Sequence, residues 1–94
     1  MSIRTIITEI NRQIGNKEII ENTRINGSRV RNSDLLTGIY VSEDEYIEIV
    51  GASGMEINIK IDNNLNHEKL GLETYRIYNR NINVLIRPLN SENI

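Results

Sequence analysis

The sequence contains no cysteine, phenylalanine or tryptophan, and it has only one histidine and one proline among its 94 residues. Without cysteine there is no disulfide framework, no thiol nucleophile and no cysteine-ligated zinc or iron–sulfur site. A single histidine also excludes an all-histidine metal site. No apolar run approaches the roughly 18 residues of a membrane-spanning helix, and no basic-then-apolar leader opens the chain. We therefore expect a cytoplasmic protein that has no metal or cofactor and does not enter a membrane.

Isoleucine and asparagine dominate what is present, with 18 and 14 copies against a single alanine. Both residues have AT-rich codons, which is typical of many phages and low-GC bacteria. Isoleucine is β-branched and stiff at χ1, so it favours strands over helices. A chain of this length forms one domain, here residues 1–94, with one modest core.

The formal net charge of −2 conceals an uneven distribution of charge. Residues 1–33 carry a net charge of +3, residues 34–73 carry −7, and residues 74–94 carry +2. If the two ends meet in the fold, the molecule has two faces of opposite charge. The overall negative charge argues against a general affinity for nucleic acid.

Isoleucines near the start of the chain recur at helical spacing and form one apolar stripe. The stripe consists of Ile3, Ile6, Ile7, Ile10 and Ile14. It predicts an amphipathic helix over residues 3–14, with Ser2 as the N-cap. Gly15 is predicted to follow the last helical residue.

From residue 18 onward the apolar period changes to two, and glycine and asparagine pairs separate short segments, which predicts antiparallel hairpins. The alternation pairs residues 46–51 with 55–61, which places Ile47 opposite Ile59 and Ile49 opposite Ile57. A strand at 35–41 joins the other side of 46–51, with Ile39 opposite Ile49. Residues 73–78 are predicted to pair with 81–87 through a two-residue turn at Asn79-Arg80, which places Ile77 opposite Ile82. The predicted core consists of the helix stripe and the inward-facing strand residues Ile47, Ile49, Ile57, Ile59, Ile77, Ile82, Val84 and Ile86.

Two segments carry no strand pattern. Residues 63–71 are predicted to be irregular, with one helical turn around 65–70, and residues 90–94 form a frayed tail after Pro88. The predicted fold is therefore α+β: an N-terminal amphipathic helix packed on a bent antiparallel sheet of five or six strands. Such a sheet has open edges, so we expect a homo-oligomer that covers them.

The segment from residue 19 to residue 31 carries the most suggestive pattern. Asn26-Gly27 is a strong type I′ hairpin signal, and it places Arg24 directly opposite Arg29, with Arg31 on the same face as both. Like charges opposed on a ladder are destabilising by roughly 0.2–1 kcal/mol. The planar guanidinium group of arginine can donate two parallel hydrogen bonds to a phosphate or carboxylate. The hairpin therefore predicts an anion site.

The other residues predicted for this site are donors and aromatic side chains from the hairpin tip and the C-terminal strands. Gly27 and Ser28 would donate hydrogen bonds, and a base would stack on Tyr78 or Tyr40. Three further arginines extend the predicted positive surface: Arg76, Arg80 and Arg87. The alternative is that the hairpin arginines are solvated, or pair with Glu18, Glu21 or the acidic segment.

Two further motifs have a structural interpretation that we prefer. The run Gly51-Ala52-Ser53-Gly54 resembles a short phosphate loop but lacks the Lys-Ser/Thr ending of a Walker motif, so it is predicted to be a hairpin turn. His67 could act as a general base, although a lone histidine in an asparagine-rich loop is more often simply exposed.

An acidic segment supplies the alternative function. It comprises Glu43, Asp44, Glu45 and Glu48. The spacing is not that of a calcium loop, so a solvated acidic turn is preferred to a metal site. The same carboxylates could instead dock on a basic surface of a protein target.

These patterns predict a small binding protein rather than an enzyme, because the sequence has no catalytic triad, no set of metal-ligating residues and no P-loop motif. The first hypothesis is a phage or mobile-element counter-defence protein that sequesters a phosphate-bearing, nucleotide-like anion. The second is an inhibitor that docks the acidic segment on a host protein. Weak nucleic-acid binding is third.

Overall fold

The computed structural model describes residues 2–89, so the predicted tail at 90–94 lies outside the described residues. Within this range the chain forms one helix and seven strands: α1 (Ile3–Arg12), β1 (Lys17–Ile25), β2 (Ser28–Val41), β3 (Tyr46–Gly51), β4 (Glu56–Lys60), β5 (Asn66–Lys69), β6 (Tyr75–Tyr78) and β7 (Ile82–Pro88). All seven strands belong to one antiparallel sheet in the order β4-β3-β2-β1-β7-β6-β5. The helix packs on this curled sheet, which confirms the α+β prediction. The prediction of five or six strands was wrong.

Helix α1 begins as predicted, with the Ser2 hydroxyl accepting a hydrogen bond from the Thr5 N–H at 3.2 Å. It ends at Arg12, two residues earlier than predicted, and Gln13 is the C-cap. Ile14 continues the apolar stripe without being helical and packs against the core. The turn into β1 explains the early end, because Gly15 and Asn16 both adopt positive φ, at 133° and 55°.

The buried lysine of β1 holds the C-terminal end of the helix. The Lys17 ammonium donates to the Gln13 carbonyl at 3.0 Å and to the Glu73 carboxylate at 2.8 Å. Nearby, the hydroxyl of the buried Tyr75 is 3.3 Å from the Gln13 side-chain oxygen. Burial raises the pKa of Tyr75. These contacts tie α1 to β1 and β6.

The predicted registers of β2, β3 and β4 are confirmed. Ile49 lies opposite Ile57 and Ile47 opposite Ile59, while β2 places Ile39 opposite Ile49. These isoleucines all face the core. The segments at 28–31 and 35–41 are parts of one 14-residue strand, β2, which pairs with β1 through its first half and with β3 through its second.

The predicted register of β6 and β7 was wrong by two residues. Ile77 lies opposite Val84 rather than Ile82, so the turn consists of Arg80 and Asn81. Asn79 fixes this turn, since its side-chain oxygen accepts hydrogen bonds from the N–H groups of Asn81 at 2.8 Å and Ile82 at 3.1 Å. A two-residue shift keeps every side chain on its predicted face, which explains why apolar alternation did not detect it.

The irregular segment with a helical turn around residues 65–70 was a wrong prediction, because residues 66–69 form strand β5. These residues carry no apolar alternation of their own, so the sequence pattern did not indicate a strand. Strand β5 forms by pairing with β6, where Glu68 lies opposite Arg76. β4 and β5 are the outermost strands of the sheet. They are the edges on which the prediction of self-association rests.

The core lies between the helix and one face of the sheet. The predicted core residues that are buried are Ile6, Ile7, Ile10, Ile47, Ile49, Ile57, Ile59, Ile77, Val84 and Ile86. Ile3, Ile14 and Ile82 are only partly buried. The core also includes Ile19, Leu36, Ile39 and Tyr75, and Ile20 is buried on the other face of β1.

Candidate functional site

The β1–β2 hairpin forms in the predicted register. Asn26 and Gly27 both have positive φ, at 50° and 83°, as a type I′ turn requires. Arg24 is therefore the direct cross-strand partner of Arg29, and Asn22 is the partner of Arg31. Because side chains alternate along a strand, the three arginines lie on one face of the hairpin.

The β6–β7 turn supplies the opposite wall of a cleft beside this hairpin. Strand β7 joins β1 with Asn83 opposite Asn22 and Ile82 opposite Thr23, which brings the turn residue Arg80 next to the hairpin arginines. The space between hairpin and turn has a volume of about 260 Å³. It is lined by Asn22, Thr23, Arg24, Arg29, Asn79, Arg80, Asn81, Ile82 and Asn83. We call it the arginine cleft.

The arginine cleft is positively charged and uncompensated. No aspartate or glutamate lines it. Among residues 2–89, no carboxylate forms an ion pair with Arg24, Arg29, Arg31 or Arg80. All four of these side chains belong to exposed residues.

The two glutamates of β1 do not neutralise the hairpin arginines. Glu18 accepts a hydrogen bond from Arg87 at 2.6 Å. Glu21 pairs with Val84 across the ladder and, by strand alternation, faces away from Arg24. The hairpin arginines therefore do not pair with Glu18 or Glu21. The other part of the alternative drawn from the sequence, that these arginines are solvated, agrees with their exposure.

Three of the predicted site residues lie outside the cleft and have partners within the chain. Arg87 is bonded to Glu18. The Arg76 guanidinium lies 3.8 Å from the centre of the Tyr78 ring, donates to Asn83 at 2.8 Å and forms an ion pair with Glu68 at 3.4 Å. One face of Tyr78 is thus already covered.

Gly27 and Ser28 lie at the tip of the hairpin and do not line the cleft. Arg31 stands beside the cleft, opposite Asn22. Sequence reasoning missed the contribution of the asparagines at 79, 81 and 83. The run of alternating asparagines from 79 to 83 was the available signal, because asparagine favours turns through bonds to the following backbone.

The acidic segment lies on the half of the sheet formed by β2, β3 and β4, away from the arginine cleft. Glu45 is held at a positive φ of 65°, and one nitrogen of Arg4 donates to both of its carboxylate oxygens at 2.7 Å. Glu43, Asp44 and Glu48 are exposed. Among residues 2–89, no histidine or carboxylate side chains are grouped in threes as a metal site requires.

The glycine-rich loop at 51–54 is a hairpin turn whose backbone binds the protein's own carboxylate. Asp34 accepts hydrogen bonds from the N–H groups of Ser53 at 2.9 Å, Met55 at 3.3 Å and Leu35 at 2.8 Å. Desolvation opposes ionisation of Asp34, but these backbone hydrogen bonds outweigh it and lower its pKa below 3.8. The loop is therefore not open to an external phosphate.

His67, the other residue considered for chemistry, lies in β5 opposite Ile77 and is half-buried.

Within residues 2–89 no helix has both the length and the apolar character needed to cross a bilayer. Comparison of the chain with protein-family models, curated proteins and solved structures found no match.

Proposed function

We propose that this chain is a non-enzymatic binding protein that captures a phosphate-bearing anion in the arginine cleft. One observation carries the proposal: Arg24, Arg29 and Arg80 converge on a single cleft, and no carboxylate of the described residues neutralises them. Every other arginine of the predicted site except Arg31 has an acidic partner.

The chemistry of the side chains favours phosphate. Arginine stays protonated at any physiological pH and presents its donors as a planar fork that matches two phosphate oxygens. Opposing Arg24 to Arg29 costs stability in the free protein, within the roughly 0.2–1 kcal/mol of a cross-strand pair. An anion bound between them removes this repulsion and adds charge-assisted hydrogen bonds.

Titration calorimetry with nucleoside triphosphates tests the proposal. Arg24→Ala and Arg29→Ala are each expected to weaken binding by about 10- to 150-fold, the equivalent of a lost charge-assisted hydrogen bond of 1.5–3 kcal/mol. Lys60→Ala is the matched control, since it removes one exposed positive charge from β4, on the other half of the sheet. Affinities that respond equally to all three changes would show non-specific charge attraction and contradict the proposal.

A second candidate function is supported by the surface around the acidic segment. Tyr40 and Tyr46 are 52% and 37% exposed, and Tyr40 lies directly opposite Glu48 on the ladder. Tyrosine is enriched at protein-binding surfaces, and exposed carboxylates beside it can complement a positive patch on a partner. This arrangement supports docking on a basic protein target.

A basic peptide such as octa-arginine tests the second candidate. Glu48→Lys and Asp44→Lys should abolish salt-sensitive binding of that peptide and leave nucleotide binding unchanged. Binding of the peptide that survives both substitutions would contradict it. The phage counter-defence role expected from composition stays a prediction that neither measurement addresses.

A further inference from the structure

We infer that the arginine cleft recognises a chain of two or more linked phosphates and does not read a nucleobase. The inference rests on the proposed function and names the ligand class of the same site. It is carried by the number of uncompensated arginines, by the size of the cleft and by the residues that line it.

The positive charge of the guanidinium groups exceeds the negative charge of one phosphoryl group. A terminal phosphate carries a charge of about −1.5 to −2, and each arginine carries a full positive charge. Arg24, Arg29 and Arg80 line the cleft. Arg31 stands two residues farther along β2, roughly 6.6 Å from Arg29. Three to four positive charges are balanced by a diphosphate or triphosphate rather than by a monophosphate.

The cleft is smaller than pockets that enclose a whole ligand. Its volume of about 260 Å³ is below the roughly 300–1,000 Å³ of pockets that enclose drug-sized molecules. The cleft is also partly open to solvent, so we expect a ligand held by its phosphate groups to leave its sugar or base outside.

The lining residues provide no platform for a base. Among the described residues that line the cleft, the side chains are arginine, asparagine, threonine and isoleucine, and none is aromatic. Aromatic rings are the usual platforms on which proteins stack bases, and the guanidinium planes, which can also stack on a base, are here the groups that bind the phosphates. Two rings were predicted for this role, and neither lines the cleft. Tyr78 has Arg76 over one face and its hydroxyl 3.3 Å from Glu68, and Tyr40 lies opposite Glu48 on the β2–β3 ladder. Base recognition by Tyr78 or Tyr40 is therefore not part of the inferred binding mode.

Titration calorimetry without divalent cations, which would chelate the phosphates, tests the inference. The probes are orthophosphate, pyrophosphate, tripolyphosphate, AMP, ATP and adenosine. We expect tripolyphosphate and ATP to bind with affinities within about 3-fold of each other, because phosphates supply the contacts. We expect AMP and orthophosphate to bind at least about 10-fold more weakly, because one phosphoryl group leaves an arginine unpaired. Adenosine should not bind.

The variants test whether the preference for longer phosphates comes from the cleft. Arg80→Ala should reduce the ratio of tripolyphosphate affinity to orthophosphate affinity, because it removes the arginine on the opposite wall. Lys60→Ala should leave that ratio unchanged. An unchanged ratio in Arg80→Ala would overturn the inference.

Other outcomes separate this inference from the function on which it rests. If AMP binds as tightly as ATP, or if ATP binds far more tightly than tripolyphosphate, the inference fails and the proposed anion binding stands. Tighter binding of an octathymidylate than of tripolyphosphate would overturn the inference in favour of nucleic acid. If none of the anions binds, both the inference and the proposed function fail.

Discussion

Arg24 and Arg29 are direct partners across the β1–β2 ladder, and neither forms an ion pair with any acid of residues 2–89. The Asn-Gly turn imposes this juxtaposition, because its two-residue loop fixes which residues are opposed. Elsewhere on the sheet, Arg76 and Arg87 are neutralised by glutamates. The hairpin is thus a place where the fold holds positive charges together without internal compensation.

Removing one of the opposed charges should stabilise the free protein while impairing its function. Arg29→Gln relieves the repulsion of Arg24, so the free energy of unfolding at low salt should rise by up to about 1 kcal/mol. Tripolyphosphate affinity should fall. Urea denaturation at low and high salt measures the first effect, with Lys60→Gln as the control. A lower stability of Arg29→Gln would mean that Arg29 has a structural role.

The turn that carries Arg80 depends on one asparagine. Asn79→Ala removes the two hydrogen bonds to the backbone of residues 81 and 82 and should cost about 1–2 kcal/mol of stability. Because Arg80 is then less firmly placed, anion affinity should fall as well. Asn63→Ala, in the exposed turn between β4 and β5, serves as the control. Equal stability and affinity in the two variants would contradict the role assigned to Asn79.

Acid should weaken the β3–β4 turn through Asp34. The folded state lowers the pKa of Asp34 below its ordinary value of 3.8, so its ionised form stabilises the fold above that pH. The contribution is lost as the pH falls through the lower, folded pKa. Melting temperatures measured between pH 5 and pH 2 should therefore fall less steeply for Asp34→Asn than for the natural sequence. Parallel curves would show that Asp34 contributes nothing to the pH dependence.

The ion pair of Lys17 and Glu73 should respond unequally to the loss of either partner. The Lys17 side chain is 4% exposed, while that of Glu73 is 48% exposed. Glu73→Ala leaves a buried ammonium without its counter-charge and should cost about 1–3 kcal/mol. Lys17→Met leaves only a solvated carboxylate and an unpaired Gln13 carbonyl, so it should cost less. Chemical denaturation of both variants measures which substitution costs more stability. A larger loss in Lys17→Met than in Glu73→Ala would contradict this account.

Self-association is expected through the outer strands. β4 and β5 each pair on one side only among the described strands, and open edges promote pairing with another chain. Light scattering after size-exclusion chromatography should give a mass well above that of one chain. Asn58→Pro in β4 should reduce it, because proline cannot donate to a ladder. A monomer at micromolar concentration would contradict the expectation that the open edges of β4 and β5 promote self-association.

The local features of this protein were determined by its sequence. Helix α1 and the hairpins joining β1 to β2 and β3 to β4 follow from apolar spacing and from turn residues within a few positions, so short-range chemistry is enough to specify them. The Arg24–Arg29 pair belongs to this class, since the turn that creates it is only two residues long.

Tertiary structure alone decided the features that depend on distant partners. The second wall of the arginine cleft exists because β7 pairs with β1, which places Asn83 opposite Asn22. Strand β5 exists because β6 offers it an edge, although its own residues do not alternate. The β6–β7 register could not be read from alternation, because a shift of two residues preserves the period of two. Alternation specifies the face that a side chain occupies, but only the pairing of strands specifies its neighbours.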